Sequence, residues 1–269
     1  KQSGQGRWYT YIEKSMNFHL LSDGNIKGYK KSDYNIDFIN NGKLLLLLYQ
    51  VTEKEKYKKA ADILRDQLLT HPRTKEGSFW HKKIYEWQVW LDGLYMGMPF
   101  YAQYAQMFHE DTVFNDIARQ FRLVQKNLPD YATGYLHHGY DESRSQQWAD
   151  KTSGRSPHVW GRALGWYGMA LVDVLDYFPE THSERAILIG YLQSFVKSAA
   201  DMQDKKSGLW YDIPNLPGRK GNYKEASASA MMLYTFAKAA RKGYIDTRYK
   251  KLALKGWTAY DYKNAAVYM

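Results

Sequence analysis

Two helical segments of opposite character adjoin in residues 89–128, which read VWLDGLYMGMPFYAQYAQMF and then HEDTVFNDIARQFRLVQKNL. In the first half, apolar side chains recur most of the way round a 3.6-residue period, which is typical of a helix buried on all sides. In the second half they occupy one face and charged side chains occupy the other, as in a helix at a protein surface. The sequence therefore predicts an inner helix followed by an outer helix.

The same alternation recurs along the chain. Apolar periodicity predicts helices over 7–21, 36–51, 54–70, 89–108, 111–128, 161–178, 183–204, 225–242 and 246–261. The segments that begin at 36, 89, 161 and 225 are mostly apolar, whereas those that begin at 54, 111, 183 and 246 are amphipathic and charged. Short turns join each inner helix to its outer partner, and longer loops lead to the next inner helix. This repeat of helical hairpins predicts an all-α toroid whose long loops gather on one functional face.

Composition limits the classes of function. The 269 residues contain no linker, so a single domain over 1–269 is expected. The net charge of +10 favours an anionic partner, but the basic residues are spread over helix faces and no nucleic-acid-binding motif is present. The absence of cysteine excludes disulfides, thiolate metal sites and a cysteine nucleophile. No apolar run reaches the ~18 residues that a membrane span needs, so no membrane partner is expected.

Polar side chains recur at or just before the starts of the inner helices. They are Asp37, His81, Lys82, Asp92, His138, Asp141, Trp160, Arg162, Lys224 and Glu225. Because inner helices of a toroid begin at the same rim, these side chains are expected to converge there. Asp92 stands out because tryptophans flank it, and an apolar wall raises the pKa of a carboxyl group enough for proton donation near neutral pH. Arg162 lies inside an apolar helix, where a guanidinium needs an anion.

Simpler interpretations exist for several of these residues. An acid at a helix start, such as Asp37 or Glu225, stabilises the positive end of the helix dipole. His137, His138 and Asp141 lie close together in sequence, but their spacing matches no usual zinc pattern, so no metal is predicted. Trp160 fits a core position as well as a binding site.

Six motifs resemble those of glycoside hydrolase family 105, the unsaturated rhamnogalacturonyl hydrolases of bacterial pectin breakdown. They are Gly77-Ser78-Phe79-Trp80-His81-Lys82, Trp90-Leu91-Asp92-Gly93-Leu94-Tyr95-Met96, Trp148-Ala149-Asp150, Ser156-Pro157-His158-Val159-Trp160-Gly161-Arg162, Gly208-Leu209-Trp210-Tyr211 and Glu225-Ala226-Ser227. The resemblance implies an (α/α)6 barrel of six helical hairpins. Since the family barrel has twelve helices, the helices predicted here suggest a barrel that is incomplete at both ends.

The resemblance also implies roles for residues at the rim. Asp92 corresponds to the family's general acid, and Asp37 corresponds to a second aspartate that assists it. The residues that would contact the sugar are His81, Lys82, His138, Trp160 and Arg162. Trp90 is expected to form a wall of the sugar subsite together with Trp160. Neither a metal nor an organic cofactor is required by the family's reaction.

The expected function is removal of a Δ4,5-unsaturated uronic acid from the non-reducing end of rhamnogalacturonan-type oligosaccharides. The chemistry would be hydration of the double bond. The expected partner is therefore an unsaturated uronic-acid-containing oligosaccharide, bound by a monomer or weak homodimer in a bacterial cytoplasm or periplasm. An alternative is a non-catalytic protein that binds acidic glycans on the same toroid. Nucleic-acid binding driven by net charge is a third possibility, and it would show a steep salt dependence.

Overall fold

A computed structural model describes residues 6–131 and 133–260. The α-helices of this part of the chain are α1 (Gly6–His19), α2 (Gly42–Thr52), α3 (Glu55–Thr70), α4 (Leu91–Phe108), α5 (Val113–Asn127), α6 (Gly161–Val174), α7 (Arg185–Met202), α8 (Ala226–Arg241) and α9 (Tyr249–Tyr260). Two 3₁₀ segments, Lys31–Asp33 and Ile36–Asn41, precede α2. The strands are short: β1 (Gln88–Trp90), β2 (Pro129–Asp130), β3 (Tyr135–Leu136) and β4 (Gly139–Asp141). None of the described helices is both long and apolar enough to cross a membrane.

Four of the described helices form an inner layer. Helix α4 packs between α2 and α6, and α6 also packs against α8. The helices α3, α5, α7 and α9 each pack outside the inner helix that precedes them. Ten of the 14 residues of α6 are buried, compared with six of the 18 residues of α7. The helical toroid and the division into inner and outer helices are therefore confirmed.

The starts of two inner helices differ from the sequence prediction. Residues 89 and 90, which we expected to open a helix, belong to strand β1, which pairs antiparallel with β4. Residues 36–41 form a 3₁₀ segment, and α2 begins only at Gly42. The strand depends on a partner distant in sequence, which local periodicity does not record, whereas the 3₁₀ segment begins at a local cap, where the Asn35 side chain accepts from the Asp37 backbone N–H. At Gly42 a side chain would collide with Phe100, so this glycine allows α2 to lie close against α4.

The loop between α3 and β1 carries His81 and is held in place by a buried histidine. Gln67 Nε2 lies 3.2 Å from His71 Nδ1, and His71 Nε2 lies 2.8 Å from the Trp80 carbonyl oxygen. The next residue, His81, donates its backbone N–H to Gln88 and accepts from the backbone of Ile36. The loop is therefore tied both to α3 and to the segments that carry the candidate site.

His71 should make the fold sensitive to acid. Burial lowers the pKa of His71 to about 4 from its ordinary value of 6.5, although the hydrogen bond to Trp80 acts in the opposite direction. As the pH falls from 6.5 towards 4, the unfolded chain binds a proton that the folded chain excludes, so the free energy of unfolding should fall by up to about 3 kcal/mol. His71→Gln should lose this part of the pH dependence. Urea unfolding of both proteins at pH 7 and pH 4.5 checks it, and equal losses in the two would contradict it.

Candidate active site

The candidate site lies where the inner helices begin. Asp92 and Arg162 are each the second residue of their helix, α4 and α6, and Asp37 lies in the 3₁₀ segment before α2. The backbone N–H of Leu91 donates to the carbonyl of His138, which fixes the loop after β3 against the start of α4. Residues predicted from separate parts of the sequence are thus brought to one rim.

Asp37 is an ionised carboxylate with two basic partners. Its Oδ1 lies 3.3 Å from His81 Nε2, and its Oδ2 lies 2.8 Å from Lys82 Nζ. Burial would raise the pKa of Asp37, but hydrogen bonds from His81 and Lys82 and their charges outweigh it and lower the pKa to about 2. The ammonium of Lys82 is therefore engaged by Asp37 in this structure. A cleft of about 300 Å³ beside α1, lined in part by Asp37, Lys27 and Asn41, opens the carboxylate to water.

Asp92 is in the opposite electrostatic state. Burial raises the pKa of its carboxyl group, the nearby His81 and His138 lower it in part, and the negative charge of Asp37 adds to the rise. Its Oδ2 is buried and makes no hydrogen bond to another described residue. A desolvated carboxyl group with an unpartnered oxygen is suited to hold a proton and transfer it to a ligand.

His81 is oriented by its neighbours and has one free ring nitrogen. Its Nε2 faces Asp37 Oδ1, and its Nδ1 is buried without a hydrogen-bond partner among the described residues. A Cβ added at Gly93 would lie 3.2 Å from this nitrogen. The glycine of the Trp-Leu-Asp-Gly motif therefore leaves room for the imidazole against the first turn of α4.

His138 is fixed by a second loop. Its Nδ1 lies 3.2 Å from the His158 carbonyl oxygen and 3.1 Å from Ser156 Oγ. Burial lowers the pKa of His138, although the hydrogen bond to His158 and the charge of Asp92 act in the opposite direction. Donation from Nδ1 leaves Nε2 as the acceptor in the neutral ring, so His138 can accept a hydrogen bond from a sugar hydroxyl near Asp92.

Two protein rings stack on the indole of Trp90. The His81 ring lies 4.9 Å from it at an interplanar angle of 12°, and the Tyr85 ring lies 5.2 Å from it at 8°. The indole N–H donates to Gln88 Oε1. The Trp90 indole therefore already stacks on His81 and Tyr85, so a sugar would contact only the edge of this stack.

Trp160 and Arg162 form the opposite side of the rim. The Trp160 indole N–H donates to Asp212 Oδ1 at 3.0 Å, and its ring meets His138 edge-on at 5.9 Å. The Arg162 guanidinium lies 4.6 Å from the centre of the Trp160 ring, and its buried Nε has no hydrogen-bond partner among the described residues. Since buried polar groups are nearly always bonded, the orphaned atoms of Asp92, His81 and Arg162 around one rim indicate a place for a ligand.

Three other rim residues have structural tasks. The buried Asp141 accepts from the backbone of Ser143 and Gln146, and Glu225 caps α8 by accepting from the backbone of Ala228. Lys224 pairs with Asp204 at 3.0 Å. In residues 6–131 and 133–260, no group of three or more histidine and acidic side chains is arranged to hold a metal ion.

Several residues that hold the site escaped sequence reasoning: Tyr85, Ser156, His158 and Asp212. Each of them lies in a loop and contacts a candidate residue of the site. None belongs to a helix, so hydrophobic periodicity could not identify it. Only the Ser-Pro-His segment before Trp160, which includes Ser156 and His158, carried any signal, because it belongs to one of the family-like motifs.

Comparison with known proteins identifies the family of this chain. A family model described as Glycosyl Hydrolase Family 88 matches residues 1–265. The structure of a family 105 glycoside hydrolase from C. acetobutylicum ATCC 824 is 46% identical, with a TM-score of 0.94, and the alignment covers 96% of this chain and 72% of that one. "Protein Atu3128" from Agrobacterium fabrum is 38% identical over 166 residues, which are 59% of this chain and 67% of that protein.

A more distant relative shares the fold. An unsaturated glucuronyl hydrolase from Bacillus sp. GL1 has a TM-score of 0.67 at 14% identity, over 96% of this chain and 69% of that one. The family model over nearly the whole chain and the 46% identical family 105 structure confirm the resemblance seen in the sequence motifs. The chain therefore belongs to Glycosyl Hydrolase Family 88, and it is similar to a family 105 glycoside hydrolase.

Proposed function

We propose that this glycoside hydrolase removes a Δ4,5-unsaturated uronic acid from the non-reducing end of rhamnogalacturonan-type oligosaccharides by hydrating the double bond. The observation that carries the proposal is the pair Asp92 and Asp37, whose pKa values are moved in opposite directions. When the pKa values of two acids differ in this way, the acid with the raised pKa suits the role of proton donor and the other that of the carboxylate that stays ionised. Asp92 is the donor, because its pKa is raised.

The first step is proton transfer to carbon. An unsaturated uronate is an enol ether, so its C4 is nucleophilic and the ring oxygen stabilises positive charge at C5. Asp92 donates its proton to C4 from the unpartnered carboxyl group at the start of α4. The C4–C5 π electrons form the new C4–H bond, and an oxocarbenium-like charge develops at C5 while Asp92 becomes a carboxylate.

Water then completes the reaction. A water molecule adds to C5 and gives its proton to the Asp92 carboxylate, which returns to its starting state. Asp37, which remains ionised and borders an open cleft, is placed to hold this water. The C5 hemiketal opens to a ketone, which turns the anomeric carbon into a hemiacetal that releases the aglycone. In most glycosidases the distance between two catalytic carboxyl groups sets the stereochemistry of the product. The hydration reaction has no step that depends on such a distance.

The surrounding side chains match an acidic sugar. Arg162 offers a guanidinium without an acidic partner, His81 and His138 each present a ring nitrogen at the rim, and Trp160 supplies an apolar edge. Lys82 reaches the same rim but is paired with Asp37, so we propose that it acts on the substrate mainly through that carboxylate. The unsaturated glucuronyl hydrolase of Bacillus sp. GL1, described as responsible for glycosaminoglycan degradation, supports this substrate class.

Turnover of lyase-generated disaccharides tests the proposal. The unsaturated uronate absorbs in the ultraviolet, and this absorbance should disappear on incubation with the protein, fastest for a rhamnogalacturonan disaccharide. A panel with pectic, ulvan-type and glycosaminoglycan disaccharides ranks the aglycones. A protein that binds these sugars without loss of absorbance would instead be an acidic-glycan-binding protein.

Asp37→Asn should reduce the rate and shift the pH profile. The negative charge of Asp37 contributes to the raised pKa of Asp92, so its removal should lower that pKa. Activity requires protonated Asp92 and is lost as the pH rises through its pKa. The alkaline limb of kcat/KM should therefore move to lower pH in Asp37→Asn, whereas Asp66→Asn, which removes a surface partner of Lys31, should leave it in place. If Asp37→Asn is slower but the alkaline limb of its kcat/KM profile does not move, Asp37 does not act through Asp92.

A further inference from the structure

Lys43 carries a positive charge that takes part in no ion pair among the described residues. It is the second residue of α2, is partly buried, and its Nζ lies 3.8 Å from the centre of the Tyr95 ring. No described carboxylate lies within 4.0 Å of this ammonium, since the ion pairs of residues 6–131 and 133–260 do not include it. Because burial lowers the pKa of Lys43 to about 8, its charge is held at a cost that a bound anion would offset.

Asp173, the acid whose charge acts on Lys43, and nearby Asp176 are already matched with other cations. Asp173 on α6 accepts from Lys238 at 2.6 Å and from Tyr234 at 2.7 Å. Asp176 pairs with Lys238 at 2.6 Å and with Lys242 at 2.9 Å. Two carboxylates therefore face Lys238 of α8 and Lys242 just after its end, and Lys43 adds a further positive charge to this region of the toroid.

The position of Lys43 relates it to the candidate active site. Tyr95 follows Asp92 by three residues on α4, so the two share a helix face and lie about one turn apart. The Tyr95 ring stacks on Trp166 at 4.8 Å, and Trp166 follows Arg162 by four residues on α6. Tyr95 and Trp166 thus lie about one turn below Asp92 and Arg162, respectively, with the Lys43 ammonium over the Tyr95 ring.

We propose that Lys43, held over the Tyr95 ring, binds the carboxylate of the substrate's terminal uronate. The inference rests on the proposed function. C5, which bears the carboxylate, is bonded to C4, which must reach Asp92, so the carboxylate lies within a sugar's width of the Asp92 carboxyl group. Arg162 then faces one side of the carboxylate and Lys43 approaches it from the interior. Lys82 cannot serve in this way while Asp37 holds it at 2.8 Å.

The test measures binding separately from turnover. Asp92→Asn serves as the background, and the Kd of an unsaturated rhamnogalacturonan disaccharide is measured by calorimetry for the free acid and for its uronate methyl ester. Lys43→Met should weaken binding of the acid at least about tenfold, as expected for loss of a charge-assisted hydrogen bond, and change binding of the ester less than twofold. Lys43→Gln, a second neutral replacement, should give the same result. The unfolding midpoint of both variants should equal or exceed that of the background, because an unpaired buried charge is removed.

The pH dependence gives a second readout. Lys43 faces Tyr95 from α4, Asp173 from α6 and Lys238 from α8, and Tyr234 from α8 hydrogen-bonds with Asp173 and Lys238. Among them, Asp173 raises the pKa of Lys43 and Lys238 lowers it. In the background protein the Kd for the acid should rise above about pH 8, and this rise should be absent from Lys43→Met.

Lys58→Met is the matched control. The Lys58 ammonium also lies over an aromatic ring, 5.1 Å from Phe108, but it is paired with Asp62 on the outer helix α3, so its removal should change neither Kd. Equal binding of the acid with and without Lys43, or equal losses for acid and ester, overturns the inference. A loss confined to disaccharides with an acidic aglycone also overturns it, because the anion would then belong to the aglycone. Wild-type turnover of the same disaccharide tests the proposed function independently.

Discussion

Asp92→Asn should lower kcat on an unsaturated uronide disaccharide by at least about a hundredfold, the lower end of what a general acid contributes. The asparagine keeps the shape of the side chain and its place in the first turn of α4, but it has no proton to give to C4 and none to recover from water. Because the substrate contacts are unchanged, KM should remain nearly constant and the loss should appear in kcat. Steady-state kinetics on the best disaccharide of the panel provide the measurement.

Folding does not complicate this variant. Asp92 Oδ2 makes no hydrogen bond to another described residue, so no described pair is broken by the amide. Asp111→Asn, at an exposed aspartate just before α5, is the control and should retain the wild-type kcat. Wild-type enzyme should lose activity as the pH rises through the raised pKa of Asp92. If Asp92→Asn retains the wild-type kcat, the hydration mechanism is wrong, and a glycan-binding protein becomes the better assignment.

The fold could be predicted from the sequence because burial in a toroid leaves a local record. An inner helix contacts other helices on most of its surface, so α6 is apolar nearly all round, whereas α7 has one solvated face. Local periodicity does not predict structure that depends on partners distant in sequence. The pairing of β1 with β4 turns residues 88–90 into a strand, and no periodicity in either segment announces it.

The candidate site was predictable only in part, for a related reason. Helix starts are local features, so Asp37, Asp92 and Arg162 could be assigned to one rim from sequence. Which charges meet across loops depends on side-chain rotamers. The pairing of Lys82 with Asp37, and the rings stacked on Trp90, therefore appear only in the structure.

Lys43 has the same kind of sequence signal as Arg162. A guanidinium inside the apolar α6 singled out Arg162, and an ammonium ahead of five leucines in α2 is the same kind of signal. A lysine in the first turn of a helix is usually solvated, which made the charge look ordinary. The contact with Tyr95 and the matched acids around it distinguish this lysine from those on the outer helices.

Arg162→Leu should raise KM about ten- to a hundredfold, because a charge-assisted hydrogen bond to a carboxylate contributes about 1.5–3 kcal/mol. The guanidinium makes no ion pair with a described carboxylate and its Nε is buried without a partner, so leucine removes an anion contact while breaking no described pair. The free energy of unfolding should therefore stay close to the wild-type value. Arg7→Leu is the matched control, because Arg7 also lies over a tryptophan, 4.7 Å from the Trp8 ring, but on exposed α1.

The comparison of acid and ester decides how the Arg162 result is to be interpreted. If Arg162 and Lys43 hold one carboxylate from two sides, each single variant should weaken binding of the acid, and neither should change binding of the methyl ester much. The double variant Arg162→Leu/Lys43→Met should then lose less than the sum of the two single losses in binding free energy, because both act on the same group. An unchanged KM in Arg162→Leu would make Arg162 a packing residue of the Trp160 edge. The uronate carboxylate would then have to be held without Arg162, which leaves Lys43 as its proposed partner.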